Sequence, residues 1–389
     1  MRLLHTSDWH LGRSLHAEPR LPAQRTFLTW LVNTAVERQA DAVIVAGDVY
    51  DRAVPPVDAV RLLDEVLAAL AAAHVPVLLI SGNHDSAVRL GFAAALSEAA
   101  GVHLRTSVAD LARPVVLHDE HGPVALYGLP YLLPDAVMDE LGVQERSHAG
   151  VLGAAVAAVR ADARARGVAR VVVAAHAFVT GAQPCESERD IRVGGIGDAP
   201  AAVFAGVDYV ALGHLHGAQQ VGRSGRVRYS GSPLAFSFSE RHHRKSVTLV
   251  ELGGDGSVTT EAIAVPTERP LREVRGRLDE LVARAQSDLA DVAEAFVKVV
   301  LTDSVRPTSP MERLRAVWPH TLLLEFAPDR SDDAETRAAA DLARLAETVD
   351  PVEICASFVE WVDGAAADDD QREVLRGAVE AAQRVEVDA

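Results

Sequence analysis

Over the first 250 residues, short apolar runs alternate with longer stretches whose apolar positions recur every three or four residues. The runs are MRLLHTS (1–7), DAVIVAGD (41–48), VPVLLISGN (75–83), HLRTSV (103–108), PVVLHD (114–119), PVALYGLPY (123–131), ARVVVAAHAFV (169–179) and DYVALGHLHG (208–217). Between them the spacing predicts helices over about 24–37, 57–73, 89–100 and 151–166. Strands interleaved with helices predict a layered α/β fold in which β-sheets are flanked by helices. The near-continuous apolar runs fit strands buried on both faces.

RVRYSGS (226–232) and SVTLVEL (246–252) close this section as strands, and the texture then changes. Amphipathic helices over about 270–287 and 308–317, with strands at AFVKVVLT (295–302) and TLLLEFAP (321–328), predict a small α+β unit. Beyond residue 350, PVEICASFVEWV has a helical apolar pattern, DGAAADDD breaks it, and a second helix runs to the end. These tail helices have little of their own to pack on, which makes them candidates for binding a partner. The predicted organisation is a domain over 1–266, a second over 267–349 and a helical segment over 350–389.

A chain of 389 residues is too long for one ordinary core. No apolar run is long enough to span a bilayer, and the start lacks the cationic and apolar regions of a secretory signal; a cytoplasmic protein is expected. The two cysteines, Cys185 and Cys355, lie far apart and outside any CxxC spacing, so no disulfide framework and no thiolate metal site is predicted. The net charge of −17 argues against coating nucleic acid by bulk electrostatics. That charge is unevenly spread: 321–389 hold 18 acids and 6 arginines, while 222–245 hold five arginines and a lysine against one acid.

The chemistry sits at the strand ends. TSDWHLGRS (6–14) presents Asp8 and His10 two apart, on one side of a continuing strand, with Trp9 turned into packing. AGDVYD gives Asp48 and Asp51; SGNHDS gives Asn83, His84 and Asp85; VVVAAHA gives His176; VALGHLHG gives His214 and His216. Each motif alone has a bland reading as a cap, a turn or a core histidine. Five such ends, each with a glycine or other small residue beside the donor, read jointly as one metal site in the crevice beyond the carboxyl ends of the strands. Two Asp, one Asn and four His, without Cys, suit Mn²⁺, Fe²⁺ or Zn²⁺. Seven donors are too many for one ion. With a carboxylate bridging, they divide between two, at the roughly 3.5–4 Å separation used in phosphoester cleavage.

D-x-H, G-D-x-x-D, G-N-H-D, an isolated H and G-H-x-H, in this order, resemble the calcineurin-like metallophosphoesterases. SDWHLG, AGDVYDRAVPP, ISGNHDS, HAFVTGAQPCESERDIRVGG, DYVALGHLHGAQ and YSGSPLAFSFSE are similar to the bacterial SbcD branch of the Mre11-type nucleases, over most of the chain. The resemblance implies that Asp8, His10, Asp48 and His216 hold one metal, and that Asp48, Asn83, His176 and His214 hold the other. His84 would be the non-ligand histidine that stabilises or protonates the leaving oxygen. It further implies two divalent ions, most naturally manganese, and hydrolysis of DNA ends and hairpins in recombination and repair. Its partners would be an SbcC-type coiled-coil ATPase docked on the last 40 residues and a second copy of the chain, giving a homodimer within a heterotetramer at the nucleoid. The chain has no GxxxxGK[ST], so ATP dependence would come from that partner. Residues 268–348 resemble a capping domain that shapes the DNA near the metals.

Some positions keep two readings. Asp51 orients a ligand or caps a turn. Arg13, Arg52 and Arg89 meet phosphates at the rim or form surface ion pairs, and the dense 222–245 stretch has the better claim to DNA. The helices following Pro56 and Arg89 dimerise or pack in the core. A small-molecule phosphodiesterase or a protein phosphatase on the same scaffold is the alternative enzyme; it leaves the cap and the two-helix tail without a purpose.

Overall fold

The computed structural model describes residues 1–188, 198–266, 269–328 and 350–387. The chain divides into two units, Met1–Pro270 and Leu271–Ala389.

The first unit is built on two six-stranded sheets. In the first sheet, β1 (Arg2–Thr6) runs parallel to β4 (Ala42–Ala46), which is followed outward by β5 (Val77–Ile80) and β6 (Val102–Arg105), also parallel. On its other side β1 pairs antiparallel with β13 (Ser246–Leu252), and β13 with β14 (Val258–Ala264). The second sheet has β8 (Gly122–Leu129), β9 (Arg170–His176) and β10 (Tyr209–Gly213) parallel at its centre. The strands β7 (Val115–Asp119), β12 (Val227–Tyr229) and β11 (Gln219–Val221) complete it. A two-residue hairpin, β2 (Ser14–Leu15) and β3 (Glu18–Pro19), follows β1.

Strand alternation explains the layering. In β4, Ala42 and Ile44 face the other sheet, against Val172, Ala174 and Ala211. Val43 and Val45 face outward, against Phe27, Leu31, Leu62 and Val66 of the helices Leu21–Glu37 and Val57–Ala72. The second sheet is covered on its outer side by the helix His148–Arg166, through Val151, Ala155 and Val159. Each central strand is therefore buried on both faces, as its unbroken apolar run requires. The layered α/β fold expected from the sequence is the fold observed.

Two local expectations are corrected. The helix expected over 89–100 is two short pieces, Ala87–Leu90 and Ala94–Glu98, broken at Ala93, whose φ is 58°. In the second unit, the helix expected over 270–287 begins as a strand, β15 (Leu271–Gly276), and only Leu278–Arg284 is helical. The i, i+3 spacing of Leu271 and Val274 imitates a helix. Pairing parallel to β16 (Phe296–Leu301), itself parallel to β17 (Thr321–Phe326), overrides that local preference. The helices Pro310–Val317, Pro351–Asp363 and Asp369–Val387 follow. Among the described residues no helix is long and apolar enough to cross a membrane. Parts of the 267–349 stretch, namely 267–268 and 329–349, lie outside the described residues, as does most of SERDIRVGG (187–195).

Candidate metal centre

The five strand ends named from the sequence meet at the carboxyl ends of β1, β4, β5, β9 and β10. After β1 the chain does not continue as a strand. The Asp8 N–H donates to the Gly47 carbonyl at 3.0 Å and the His10 N–H to the Asp48 carbonyl at 2.9 Å, so two turns run side by side. Asp8 and His10 have φ of 54° and 45°, which corrects the expectation that strand alternation aims them. Asp48 (φ 50°) and His214 (φ 107°) are held in the same disfavoured region. Each such residue costs on the order of 1–3 kcal/mol and persists only where surrounding structure dictates it, as at functional sites. Trp9 is turned into packing as expected: it is fully buried, edge-on to Phe27, and its Nε1 donates to Thr6 Oγ1 at 3.0 Å.

Two glycines permit close approaches here, Gly213 between the two sheets and Gly82 between neighbouring turns of the first sheet. A Cβ on Gly213 would lie 1.9 Å from the Ala46 carbonyl oxygen, and one on Gly82 would lie 2.1 Å from Asp48 Oδ1. Only glycine lets these backbones pass.

Asp8, His10, Asp48, His176, His214 and His216 are each no more than 3% exposed. Donor atoms of Asp8, His10 and His216 lie within 4.8 Å of one another, as do those of Asp48, His176 and His214. A third group, His10, Asp48 and His84, links the two. Asp48 belongs to both sides: its Oδ2 is 3.6 Å from His10 Nε2 and 3.5 Å from His176 Nε2. Asn83 Oδ1 lies 2.9 Å from His176 Nε2 and 3.2 Å from His214 Nδ1.

This arrangement fits cations. His176 Nδ1 donates to the Ala46 carbonyl at 2.9 Å, so the neutral ring carries its lone pair on Nε2, facing the lone pairs of Asn83 Oδ1. The amide nitrogen of Asn83 is buried without a partner, as is His10 Nδ1. His10 Nε2 and His216 Nε2 face each other at 3.1 Å. Burial drives His176 down to about 4, and burial with neighbouring imidazoles drives His10 and His214 well below the usual histidine value. All three are therefore neutral and able to ligate. Burial, and then the Asp48 carboxylate, push Asp8 well above the usual carboxylate range, a cost that a bound cation reverses.

His84 is half-buried, 4.7 Å ring to ring from His10. Its backbone N–H donates to Asp48 Oδ1 at 2.9 Å, and its Nδ1 donates to the Asp51 carbonyl at 2.8 Å. Nε2 is thereby the nitrogen that can give or take a proton. The Asp51 carboxylate lies 3.7 Å from both His10 Nδ1 and Arg13 Nε, beyond hydrogen-bond distance of either, while the Asp51 carbonyl accepts from His84.

Several supporting contacts were not foreseen from the sequence, among them those of Asp85, which the SGNHDS motif named without a role. The Asp85 carboxylate accepts the N–H groups of Val49, Tyr50 and Gly82 at 3.1, 2.8 and 2.9 Å, tying the Asp48 turn to the Asn83 turn. Burial and Asp48 raise its carboxyl to about 7. His216 Nδ1 is 2.7 Å from Ser187 Oγ and 3.5 Å from Glu240 Oε1, and the His216 N–H donates to Glu188 Oε1 at 2.7 Å. Glu240 is buried and paired with Lys245. Lys245 is therefore not a surface cation, and Arg226 pairs with Asp208, so much of the 222–245 stretch is structural; Arg223, Arg241 and Arg244 remain exposed. Arg13 likewise is no rim residue: it donates to the Ser187 carbonyl at 2.7 Å and lies over the Phe236 ring.

A two-sheet sandwich carrying histidines, carboxylates and a carboxamide at facing strand ends defines a metallophosphoesterase. Residues 1–218 match the family described as calcineurin-like phosphoesterase, and residues 267–361 match the family described as type 5 capsule protein repressor C-terminal domain. The chain is similar to the SbcD component of the SbcCD nuclease from Escherichia coli strain K12, 33% identical over 318 residues, covering 78% of each chain. The SbcD of Bacillus subtilis strain 168 is 36% identical over 282 residues, covering 70% of this chain and 71% of the relative. That of Rhodobacter capsulatus is 35% identical over 329 residues, covering 80% and 78%. The chain belongs to the SbcD family within the calcineurin-like phosphoesterases, and is a metal-dependent phosphodiester hydrolase.

Proposed function

We propose that the protein is the nuclease component of a DNA-end-processing complex, cutting duplex ends, hairpins and single strands with two manganese ions. Asp8, His10, Asp48 and His216 would hold one ion and Asp48, Asn83, His176 and His214 the other. The observation that carries this reading is the pair of buried donor groups sharing Asp48. When bound, the ions supply Lewis-acid activation of the phosphodiester and lower the pKa of an attacking water.

The chain's own residues do the rest. Asp85 ties together the two turns that carry Asp48 and Asn83, and would hold these donors in place for the ions. His84 holds its ring through Nδ1 and hands a proton from Nε2 to the leaving oxygen, a contribution of about 10²–10⁴-fold.

The exposed apolar side chains Val57, Val60, Val88, Phe92 and Leu96 favour an interface with a second copy over core packing for these helices. Exposed Phe358, Trp361 and Val362 on Pro351–Asp363 suit docking on an SbcC-type coiled-coil ATPase. Arg52, Arg89, Arg223 and Arg244 are exposed candidates for phosphate contacts, and the setting would be cytoplasmic, at the nucleoid. The domain limits proposed are 1–266, a DNA-shaping cap over 267–349 and the ATPase-binding segment over 350–389.

The test is digestion of an end-labelled duplex and a hairpin with Mn²⁺, with Mg²⁺ and with chelator, alone and with the ATPase. Manganese-dependent cutting that the ATPase extends to hairpins supports the reading. Turnover of bis-nitrophenyl phosphate without DNA cleavage, even with the partner, would replace it with a small-molecule phosphodiesterase.

A further inference from the structure

One thiol lies against the metal-facing histidine that closes the site. Cys185 Sγ is 3.2 Å from Glu188 Oε1 and 3.0 Å from Ser187 Oγ, and that hydroxyl is in turn 2.7 Å from His216 Nδ1. Donor atoms of Cys185, Glu188 and His216 all fall within 4.8 Å of one another. Glu188 Oε1 also accepts the His216 N–H, which holds the carboxylate beside the ring. The ring therefore has two occupied sides: Nε2 faces His10, and Nδ1 faces Ser187 Oγ at the cysteine corner and, at 3.5 Å, the buried Glu240 carboxylate.

We propose that Cys185, Glu188 and His216 form a separate binding site for a thiophilic divalent cation of the zinc class, sharing the His216 ring with the dimetal group. One thiolate, one carboxylate and one imidazole are a zinc donor set with an open fourth position, and the sulfur distinguishes this corner from the oxygen- and nitrogen-only donors beside it. On binding, the thiol proton and the His216 Nδ1 proton leave to solvent, the sulfur and Nδ1 ligate the ion in place of the Ser187 contact, and the ring is shared with the dimetal group as an imidazolate. An ion here pulls on a ring that the nuclease needs, so zinc would inhibit manganese-supported cleavage; that consequence alone rests on the function proposed above.

The test uses the full-length, manganese-loaded protein titrated with Co²⁺ and with Zn²⁺. Cys185 and Cys355 are its two thiols, so a near-ultraviolet thiolate-to-cobalt charge-transfer band reports on sulfur ligation without any activity measurement. The band is expected in the wild type and in Cys355→Ser, and lost in Cys185→Ser. Cys185→Ser should bind one equivalent of zinc fewer, and Glu188→Gln should bind that ion at least tenfold more weakly. No band in the wild type, equal zinc stoichiometry in wild type and Cys185→Ser, or unchanged affinity in Glu188→Gln would each overturn the site. A band without any DNA cleavage would leave the site standing and refute the nuclease reading instead.

Discussion

Gly82→Ala tests whether the geometry of Asp48 governs metal binding. The added Cβ would stand 2.1 Å from Asp48 Oδ1, 2.3 Å from Asp48 N and 2.7 Å from Asp48 Cγ. Ordinary van der Waals contact begins near 3.4 Å, so the shortfall is 3.4 less 2.1, about 1.3 Å. Turning the carboxylate aside cannot relieve a clash with its own backbone nitrogen, so the turn must move. Overpacking of this kind costs about 1–3 kcal/mol, and a displacement of about 1 Å in a catalytic group costs on the order of 100-fold in rate. Because Asp48 serves both donor groups, manganese retained after dialysis should also fall. The assays are a denaturant melt, metal content and duplex digestion. Gly153→Ala, in the helix His148–Arg166 with nothing within 4 Å, is the control and should retain metal and activity. Full metal content and full turnover in Gly82→Ala would refute the argument.

Asp119 and Arg170 form a double hydrogen bond at 2.6 and 2.8 Å, and the guanidinium holds the Asp119 carboxyl well below the usual carboxylate range. A depressed carboxylate stabilises above its unfolded pKa of about 3.9 and loses that contribution as pH falls toward its folded value. Asp119→Asn should therefore lose about 2 kcal/mol at neutral pH, and its gap to the wild type should narrow in melts below about pH 4; a gap constant with pH would contradict this. Lys245→Met leaves the buried Glu240 carboxylate without its cation and should cost about 3 kcal/mol. Adding Glu240→Gln should recover part of that loss, and a purely additive double variant would remove the claim that the pair is coupled. His84→Ala should keep its manganese yet cut DNA about 10²–10⁴-fold more slowly, whereas loss of metal in this variant would make His84 a ligand.

The sheets and most donors were legible because each lies in a local pattern: an apolar run, then a small residue, then a donor. His176 ends β9, and His214 and His216 follow β10 directly, so strand pairing brings them together without further information. What was not legible depends on partners distant along the chain. Asp85 reads as a helix cap, and its three N–H partners appear only when β4 and β5 lie side by side. Lys245 counts as one more cation in a basic stretch until Glu240 and Ser232 fold around it. The aim of Asp8 and His10 was reached by the wrong route, since alternation in a strand and two left-handed residues in a turn both put them on the same side. The strand at Leu271–Gly276 was hidden because its burial pattern has an interval of three, and only its pairing with β16 reveals it.

The central claim is that two ions share the Asp48 carboxylate. It is tested most directly by counting manganese bound per chain in the wild type and in Asp48→Asn, while end-labelled duplex is digested in parallel. The account predicts two ions per wild-type chain, loss of both in Asp48→Asn and no cutting by that variant. One ion in the wild type, or an Asp48→Asn protein that keeps two and still cuts, would contradict it.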